Sequence, residues 1–285
     1  MKKTLKLIAL MLAAMMMLAM FAGCSADKAE DADVLTVALS PDFSPMEFVD
    51  TSKSGQDQFV GFDVTLAKFI AEEMGKELVI KAMSFDACQT AVQLGSVDMS
   101  ISGFSWTPER AENFLLSDYY YAGENETEQT IIVLAEKAGT FAAAEDFSGL
   151  TVAAQSASLQ MNLCTSQLPE DTEIAEYKAI DDAVLALKTG KVDAVAVATG
   201  NGEAIIANNP DLGMSGFNFE VDEAAENNVI LLNKESEELL AEVNEILAKA
   251  LEAGYYGEWY AEAQELAGID TAADVAYDEE GNVVE

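Results

Sequence analysis

One unit occurs twice in this chain. The first copy runs Phe85-Asp86-Ala87-Cys88-Gln89-Thr90-Ala91-Val92-Gln93-Leu94-Gly95-Ser96-Val97-Asp98-Met99. The second runs Ile180-Asp181-Asp182-Ala183-Val184-Leu185-Ala186-Leu187-Lys188-Thr189-Gly190-Lys191-Val192-Asp193-Ala194. Each reads as an amphipathic helix, a Gly-x-Val-Asp corner and a short apolar strand. The glycine closes the helix in a left-handed conformation, and the aspartate opens the strand. Copies starting at Phe85 and Ile180 lie much further apart than the roughly 20–50 residues of a solenoid repeat. Two similar α/β lobes follow.

Other segments agree. Residues 34–39, 130–134, 150–154 and 229–232 read as strands. Residues 61–75 form a helical pattern with Phe62, Leu66, Phe69, Ile70 and Met74 on one face. Residues 236–254 form another, with Ser236 as N-cap and Leu239, Val243, Ile246, Leu247 and Ala250 facing inward. Strands alternating with helices predict mainly parallel sheets, with ligands beyond the carboxyl ends of the strands. The loops after Ile101 and Ala154 lie at such ends.

The first of those loops carries Ser102-Gly103-Phe104-Ser105-Trp106-Thr107-Pro108-Glu109-Arg110. Thr107 suits an N-cap and Pro108 the first helical position, where no N–H is required. Arg110 then stands in the first turn, where the helix already presents positive partial charge. Such an arginine is either exposed and idle or the receptor for an anion. A free carboxylate held by Arg110 in a forked pair, with the Ser105 hydroxyl and the backbone near Gly103, would resolve the conflict.

Composition narrows the partners. Acidic residues number 51 against 15 basic, for a net charge of −36, and there is no histidine. Nucleic acid is excluded as a partner, anionic lipid is repelled, and cations are drawn from a distance. Zinc sites that use imidazole and Ser-His-Asp hydrolysis are excluded too. No cofactor and no metal site is expected. Cys88 and Cys164 fall on apolar helical stretches of different lobes, which predicts two buried free thiols.

At the N-terminus, Lys2, Lys3 and Lys6 precede an apolar run over residues 7–22 and then Gly23-Cys24. This reads as a signal peptide, too short and wrongly flanked for a spanning helix. Cys24 resembles the lipid-accepting cysteine of a bacterial lipobox. Residues 25–33 are small, polar and acidic, as befits a tether. Residues 270–285 are acidic and weakly patterned, and are expected to fray.

Four motifs, in order, resemble those of the extracellular solute-binding protein family 3, the substrate-binding lipoproteins of polar amino acid ABC importers. They are Ser44-Pro45-Met46-Glu47-Phe48, Gly61-Phe62-Asp63-Val64-Thr65-Leu66-Ala67, the Ser105–Arg110 segment, and Leu116-Ser117-Asp118-Tyr119-Tyr120. The resemblance implies an α/β, two-lobed, type II periplasmic-binding-protein-like fold with a two-strand hinge. Its expected parts are a signal peptide (1–23), a lipidated tether (24–33), lobe 1 (34–122 and 220–269), lobe 2 (123–219) and a tail (270–285). It further implies that Arg110 holds a ligand carboxylate, assisted by Ser105 and Gly103. Phe43 and Phe85 would ring the ligand, or serve only as core. Ser158, in Gln155-Ser156-Ala157-Ser158, would cap a lobe 2 helix and also offer the ligand a hydroxyl, with Ala157 beside it. The family's usual ammonium-binding aspartate is replaced by Ala198, and a first-strand acid found in binders of basic amino acids is replaced by Ser40. Asp42, Glu47 or carbonyl groups would have to substitute, or the ligand is not a standard α-amino acid.

The implied function is capture of a small carboxylate-bearing solute, an amino acid or derivative, by lobe closure, and its delivery to a membrane permease. The protein would act without catalysis, as a monomer, outside the cytoplasm and anchored by its N-terminal lipid. Two alternatives remain open at this stage: a dehydratase-like enzyme using a cleft carboxylic acid, and a sensor presenting solute to a membrane receptor.

Overall fold

The structure is a computed structural model. It describes residues 34–121 and 128–269, together with a short antiparallel pair, Ala276–Tyr277 and Val283–Val284, within the tail. The signal-peptide, Cys24 and tether expectations fall outside the described residues.

Lobe 1 opens with β1 (Val34–Leu39), β2 (Asp42–Phe43), β3 (Glu47–Val49) and β4 (Phe59–Val60). It continues through helix α1 (Phe62–Glu73), β5 (Glu77–Ala82), α2 (Phe85–Gln93), β6 (Met99–Ser100), α3 (Pro108–Asn113) and β7 (Leu115–Leu116). Lobe 2 contains β8 (Gln129–Leu134), β9 (Thr151–Gln155), α4 (Leu159–Gln167), β10 (Glu173–Tyr177), α5 (Ile180–Lys188), β11 (Ala194–Ala198), α6 (Thr199–Asn208) and β12 (Leu212–Asn218). The chain returns to lobe 1 as β13 (Leu231–Leu232), α7 (Glu237–Ala253) and α8 (Tyr255–Leu266).

The main sheets have the orders β5-β1-β6-β13-β7 and β10-β9-β11-β8-β12. Both are mixed. Strands β1 and β6 run parallel, as do β10, β9 and β11. The strands entered from a lobe crossing run the other way: β13 is antiparallel to β6, and β8 to β11. A chain that crosses between lobes enters the next sheet from its cleft edge, which reverses that strand.

The repeated unit is a structural repeat. Gly95 and Gly190 end α2 and α5 with φ of 65° and 70°. In lobe 1 the Thr36 N–H donates to Asp98 Oδ2 at 2.7 Å, while the Asp98 N–H donates to the Thr36 carbonyl. In lobe 2 the Thr151 N–H donates to Asp193 Oδ2 at 3.0 Å, and the Asp193 N–H to the Thr151 carbonyl. Each aspartate thus ties the start of its own strand to a parallel neighbour.

Packing follows the apolar periodicity. Phe62 is fully buried and meets the rings of Tyr120, Tyr121, Tyr256, Trp259 and Tyr260, fastening α8 to α1. Val243, Ile246, Leu247 and Ala250 form the buried stripe of α7, which Gly254 ends with φ 72°. Ser236 occupies the N-cap position, but its side chain makes no capping bond, contrary to expectation. Its φ and ψ of −100° and 42° are not the extended conformation that aims a cap hydroxyl at the first turn. Cys88 and Cys164 are free and buried in different lobes, and burial pushes both thiols up to about 12.

Candidate functional site

The lobes close on a small cavity of ≈ 30 Å3, about the room for two waters. Phe43, Phe85, Ser102, Gly103, Ser105 and Arg110 line it from lobe 1. From lobe 2 come Gln155, Ser158, Leu159, Gln160, Ile180 and the wall Ala196, Val197 and Ala198. Anything larger enters only if the lobes part.

Arg110 is set by its helix start. Thr107 Oγ1 accepts from the Arg110 N–H at 3.2 Å, and Pro108 takes the first helical position, as the sequence predicted. Arg110 is 5% exposed. Nη1 donates to the Ser105 carbonyl at 2.6 Å, and Nη2 reaches across to the Ala157 carbonyl of lobe 2 at 3.1 Å. Its Cζ lies 5.5 Å from the Phe85 ring centre and 5.2 Å from that of Phe104. Burial lowers its pKa to about 10, so it stays charged at neutral pH. None of the ion pairs among the described residues includes it. A desolvated cation held only by carbonyls and ring faces keeps its full charge without an anionic partner among the described residues.

The loop before it requires glycine. Gly103 has φ 55°, and a Cβ there would lie 2.5 Å from Phe43 Cε1. The Gly103 N–H donates to Asp63 Oδ2 at 2.8 Å. Tyr120 OH donates to the same oxygen at 3.0 Å. Ser102 Oγ donates to Glu47 and accepts from the Ser40 N–H at 3.0 Å. Glu47 and Asp63 are both fully buried, and among the described residues Glu47 Oε2 and Asp63 Oδ1 have no hydrogen-bond partner. Desolvation first, and then their mutual repulsion, raises Glu47 well above the usual carboxylate range, while desolvation lifts Asp63 to about 7. Both shifts favour holding a proton on the pair behind the cleft.

Gly61 builds this pair. It has φ 118°, and a Cβ would collide with the carbonyls of Pro45 and Met46. Those carbonyls accept from the Phe62 and Asp63 N–H groups, so the 45–46 turn seats the start of α1 and sets Glu47 beside Asp63.

On the lobe 2 side, Ser158 Oγ accepts from the Met161 N–H at 3.1 Å, capping α4, while the residue lines the cavity. Ala157 adopts φ 59° and turns its carbonyl to Arg110. It does not line the cavity, and neither does Ser40, whose hydroxyl donates to Asp42 Oδ1 at 2.8 Å. Neither acid weighed as a substitute ammonium partner reaches the cavity wall. Glu47 lies behind Ser102. Asp42 bridges the lobes: Oδ2 accepts from the Ile180 N–H at 2.7 Å and from Gln155 Nε2 at 3.2 Å. Ser105 lines the cavity, with its hydroxyl uncommitted among the described residues. Phe85 stacks on Phe104 with centroids 4.7 Å apart and also faces the cavity, so it is both core and lining.

Sequence reasoning missed Gln155, Leu159, Gln160 and Ile180. Their signal was positional: Gln155 ends β9, and Leu159, Gln160 and Ile180 follow the carboxyl ends of β9 and β10, at the cleft edge of lobe 2. Among the described residues, no cluster of acidic or cysteine side chains could hold a metal ion, and no helix is long and apolar enough to cross a membrane.

Residues 35–263 match the profile of the bacterial extracellular solute-binding proteins, family 3. This chain belongs to that family. It is 29% identical over 221 residues to the arginine-binding extracellular protein ArtP of Bacillus subtilis, covering 77% of this chain and 82% of the relative. It is 28% identical over 209 residues to a probable histidine-binding protein of Campylobacter jejuni, covering 70% and 77%. The crystal structure of the amino acid ABC transporter substrate-binding protein AbpA of Streptococcus pneumoniae, bound to L-arginine, superposes with a TM-score of 0.76 at 32% identity. The match covers 84% of this chain and 97% of that one. The two-lobed type II fold expected from the sequence is therefore the fold observed. The four sequence motifs divide by role: Ser105 and Arg110 of one face the cavity, whereas Glu47, the Gly61–Asp63 corner and Tyr120 of the other three build the support behind it.

Proposed function

We propose that this chain is the solute-binding component of an ABC importer, capturing a small carboxylate-bearing solute, an amino acid or amino-acid derivative. One observation carries the reading: a buried guanidinium, Arg110, stands at the lobe interface with no ion pair among the described residues. A ligand carboxylate would take the forked pair and displace the weaker carbonyl contacts. Gly103, Ser105, Ser158, Phe43 and Phe85 are the proposed neighbours of that ligand.

Relatives named for binding arginine or histidine, and an amino acid ABC transporter substrate-binding protein solved with L-arginine, support import of an amino-acid-like solute. No catalysis is needed. Closing the lobes buries the solute, and the closed form is what a permease would select. The family's extracellular placement fits the N-terminal reading, in which residues 1–23 are removed and Cys24 carries the lipid anchor. Lobe 1 is assigned to 34–122 and 220–269, and lobe 2 to 123–219.

A thermal-shift screen of the chain from residue 25 onward, against amino acids and their deaminated and acylated relatives, tests the reading. A ligand raises the midpoint with the logarithm of its excess over Kd. Arg110→Ala should abolish every shift while the variant remains folded. A ligand that binds Arg110→Ala as well as wild type would refute the assignment.

A further inference from the structure

The charges at the cavity do not suit a zwitterion. Among the described residues, Arg110 is the one charged side chain lining it, and no aspartate or glutamate does. The nearest acids are committed elsewhere. Asp42 is held by Ser40, Gln155 and the Ile180 N–H. Glu47 and Asp63 face one another behind Ser102 and Gly103, with Tyr120 closing the far side. Facing Arg110's lobe across the cleft is the apolar end of β11, Ala196, Val197 and Ala198, each 4% exposed or less.

An amino acid brings a carboxylate and an ammonium. The first finds Arg110. The second would be desolvated without a counter-ion, a large cost that a neutral amide oxygen does not cancel. Arginine would add a second cation beside the first. The neutral groups that do line the cavity are better suited to an acceptor. Ser158 Oγ already accepts from the Met161 N–H, which leaves its own O–H to donate, and the Ser105 hydroxyl is available too.

We propose that the cleft takes a monocarboxylate whose α-substituent is uncharged, such as a 2-oxo, 2-hydroxy or N-acylated acid, in preference to a free α-amino acid. This rests on the solute-binding reading above and names the substrate class of the same site. Ala198 is the position where the choice is made, since an acid there would supply the missing counter-charge.

Calorimetry on the chain from residue 25 onward tests this with matched sets. The probes are L-alanine, pyruvate, L-lactate and N-acetyl-L-alanine, and the corresponding sets built on leucine, phenylalanine, histidine and arginine. The expected result is at least tenfold tighter binding by an ammonium-free member in every set that binds. Ala198→Asp should reverse that order. If the variant fails to fold, the wild-type sets decide by themselves. Tighter binding by the free amino acids overturns this inference and leaves the proposed function intact. Reversal failing in a folded Ala198→Asp overturns the role of Ala198. Binding by no member of any set overturns the inference and the proposed function together.

Discussion

The two lobes repeat one scaffold and equip it differently. Both carry a helix ended by a left-handed glycine, and both tie an aspartate back to a threonine one strand away. Yet the three buried charged side chains among the described residues, Glu47, Asp63 and Arg110, all belong to lobe 1. Lobe 2 buries only neutral polar groups, among them Gln155, Ser158 and Asn201. The divergence begins where the repeat ends. After β6 the chain makes the Ser102–Gly103 turn and the Arg110 helix, whereas after β11 it runs through Ala198 directly into α6. The lesson is a division of labour: lobe 1 holds the charge and would bind first, and lobe 2 supplies shape and closure.

The largest expected effect tests that division directly. Arg110→Ala removes the sole charged lining group among the described residues and should weaken ligand binding by about 3 kcal/mol or more, beyond a hundredfold. Gln155→Ala, its lobe 2 counterpart across the cleft, should cost about 1 kcal/mol. Calorimetry on both variants with the best ligand from the screen gives the ratio. Equal losses would mean that the lobes share recognition evenly.

Next is closure. Lobe 2 grips lobe 1 at Asp42, through the Ile180 N–H and Gln155, while Asn201 Nδ2 donates to the Ser44 carbonyl at 2.9 Å nearby and Lys178 Nζ reaches Asp86 at 3.4 Å. Charge-assisted bonds of this kind contribute about 1.5–3 kcal/mol. Asp42→Ala should therefore shift the ligand-free protein toward open forms and raise its radius of gyration in small-angle scattering. Ligand dissociation should quicken with little change in association. An unchanged scattering curve would show that the closed arrangement does not depend on this contact.

The acid pair separates the lobes by pH. Glu47 and Asp63 have raised pKa values when folded and ordinary ones, 4.5 and 3.8, when unfolded. The folded state then binds more protons than the unfolded state above about pH 4. The contribution is whole below that point and is lost as pH climbs through about 7, so stability falls with rising pH. Denaturant midpoints should be higher at pH 5 than at pH 8. Part of that difference reflects the net charge of −36, which acid reduces. Glu47→Gln, which replaces the held proton with a permanent donor, should shrink the difference without removing it. A Glu47→Gln variant with the full wild-type difference would rule out a proton held on the pair.

Much of this architecture was legible because local rules carried it. The Gly95 and Gly190 corners, the Thr107 cap and the α7 stripe each follow from a few adjacent residues, and Arg110 stood out by contradicting the helix dipole around it. What was not legible depends on distance across the fold. Glu47 and Asp63 lie sixteen positions apart in sequence, and nothing local says that the Pro45–Met46 turn seats α1 so as to press them together. Asp42 read as a spare acid near the ligand and is instead a bridge, because its partner, the Ile180 N–H, belongs to the other lobe. Gln155, Gln160 and Ile180 are neutral residues of ordinary type, and only lobe closure makes them lining. The reversed strands β8 and β13 likewise follow from the crossings, not from their own sequences.

The smallest effect comes from a matched pair of turns, one in each lobe. Gly103 and Ala157 both adopt positive φ, 55° and 59°, and both lie on the loops around Arg110. Lobe 1 uses the residue that tolerates this conformation and lobe 2 does not. A left-handed alanine costs about 1–2 kcal/mol, and glycine returns roughly 0.4–1 kcal/mol of that through the freer unfolded chain. Ala157→Gly should therefore stabilise the protein by up to about 1 kcal/mol. Gly103→Ala should destabilise it by about 2 kcal/mol or more, since the new methyl would also meet the Phe43 ring. Thermal midpoints of the two variants should thus move in opposite directions from wild type. A stabilising Gly103→Ala, or a clearly destabilising Ala157→Gly, would mean that these turns relax in solution and that the lobe 1 loop is not the rigid half of the cleft.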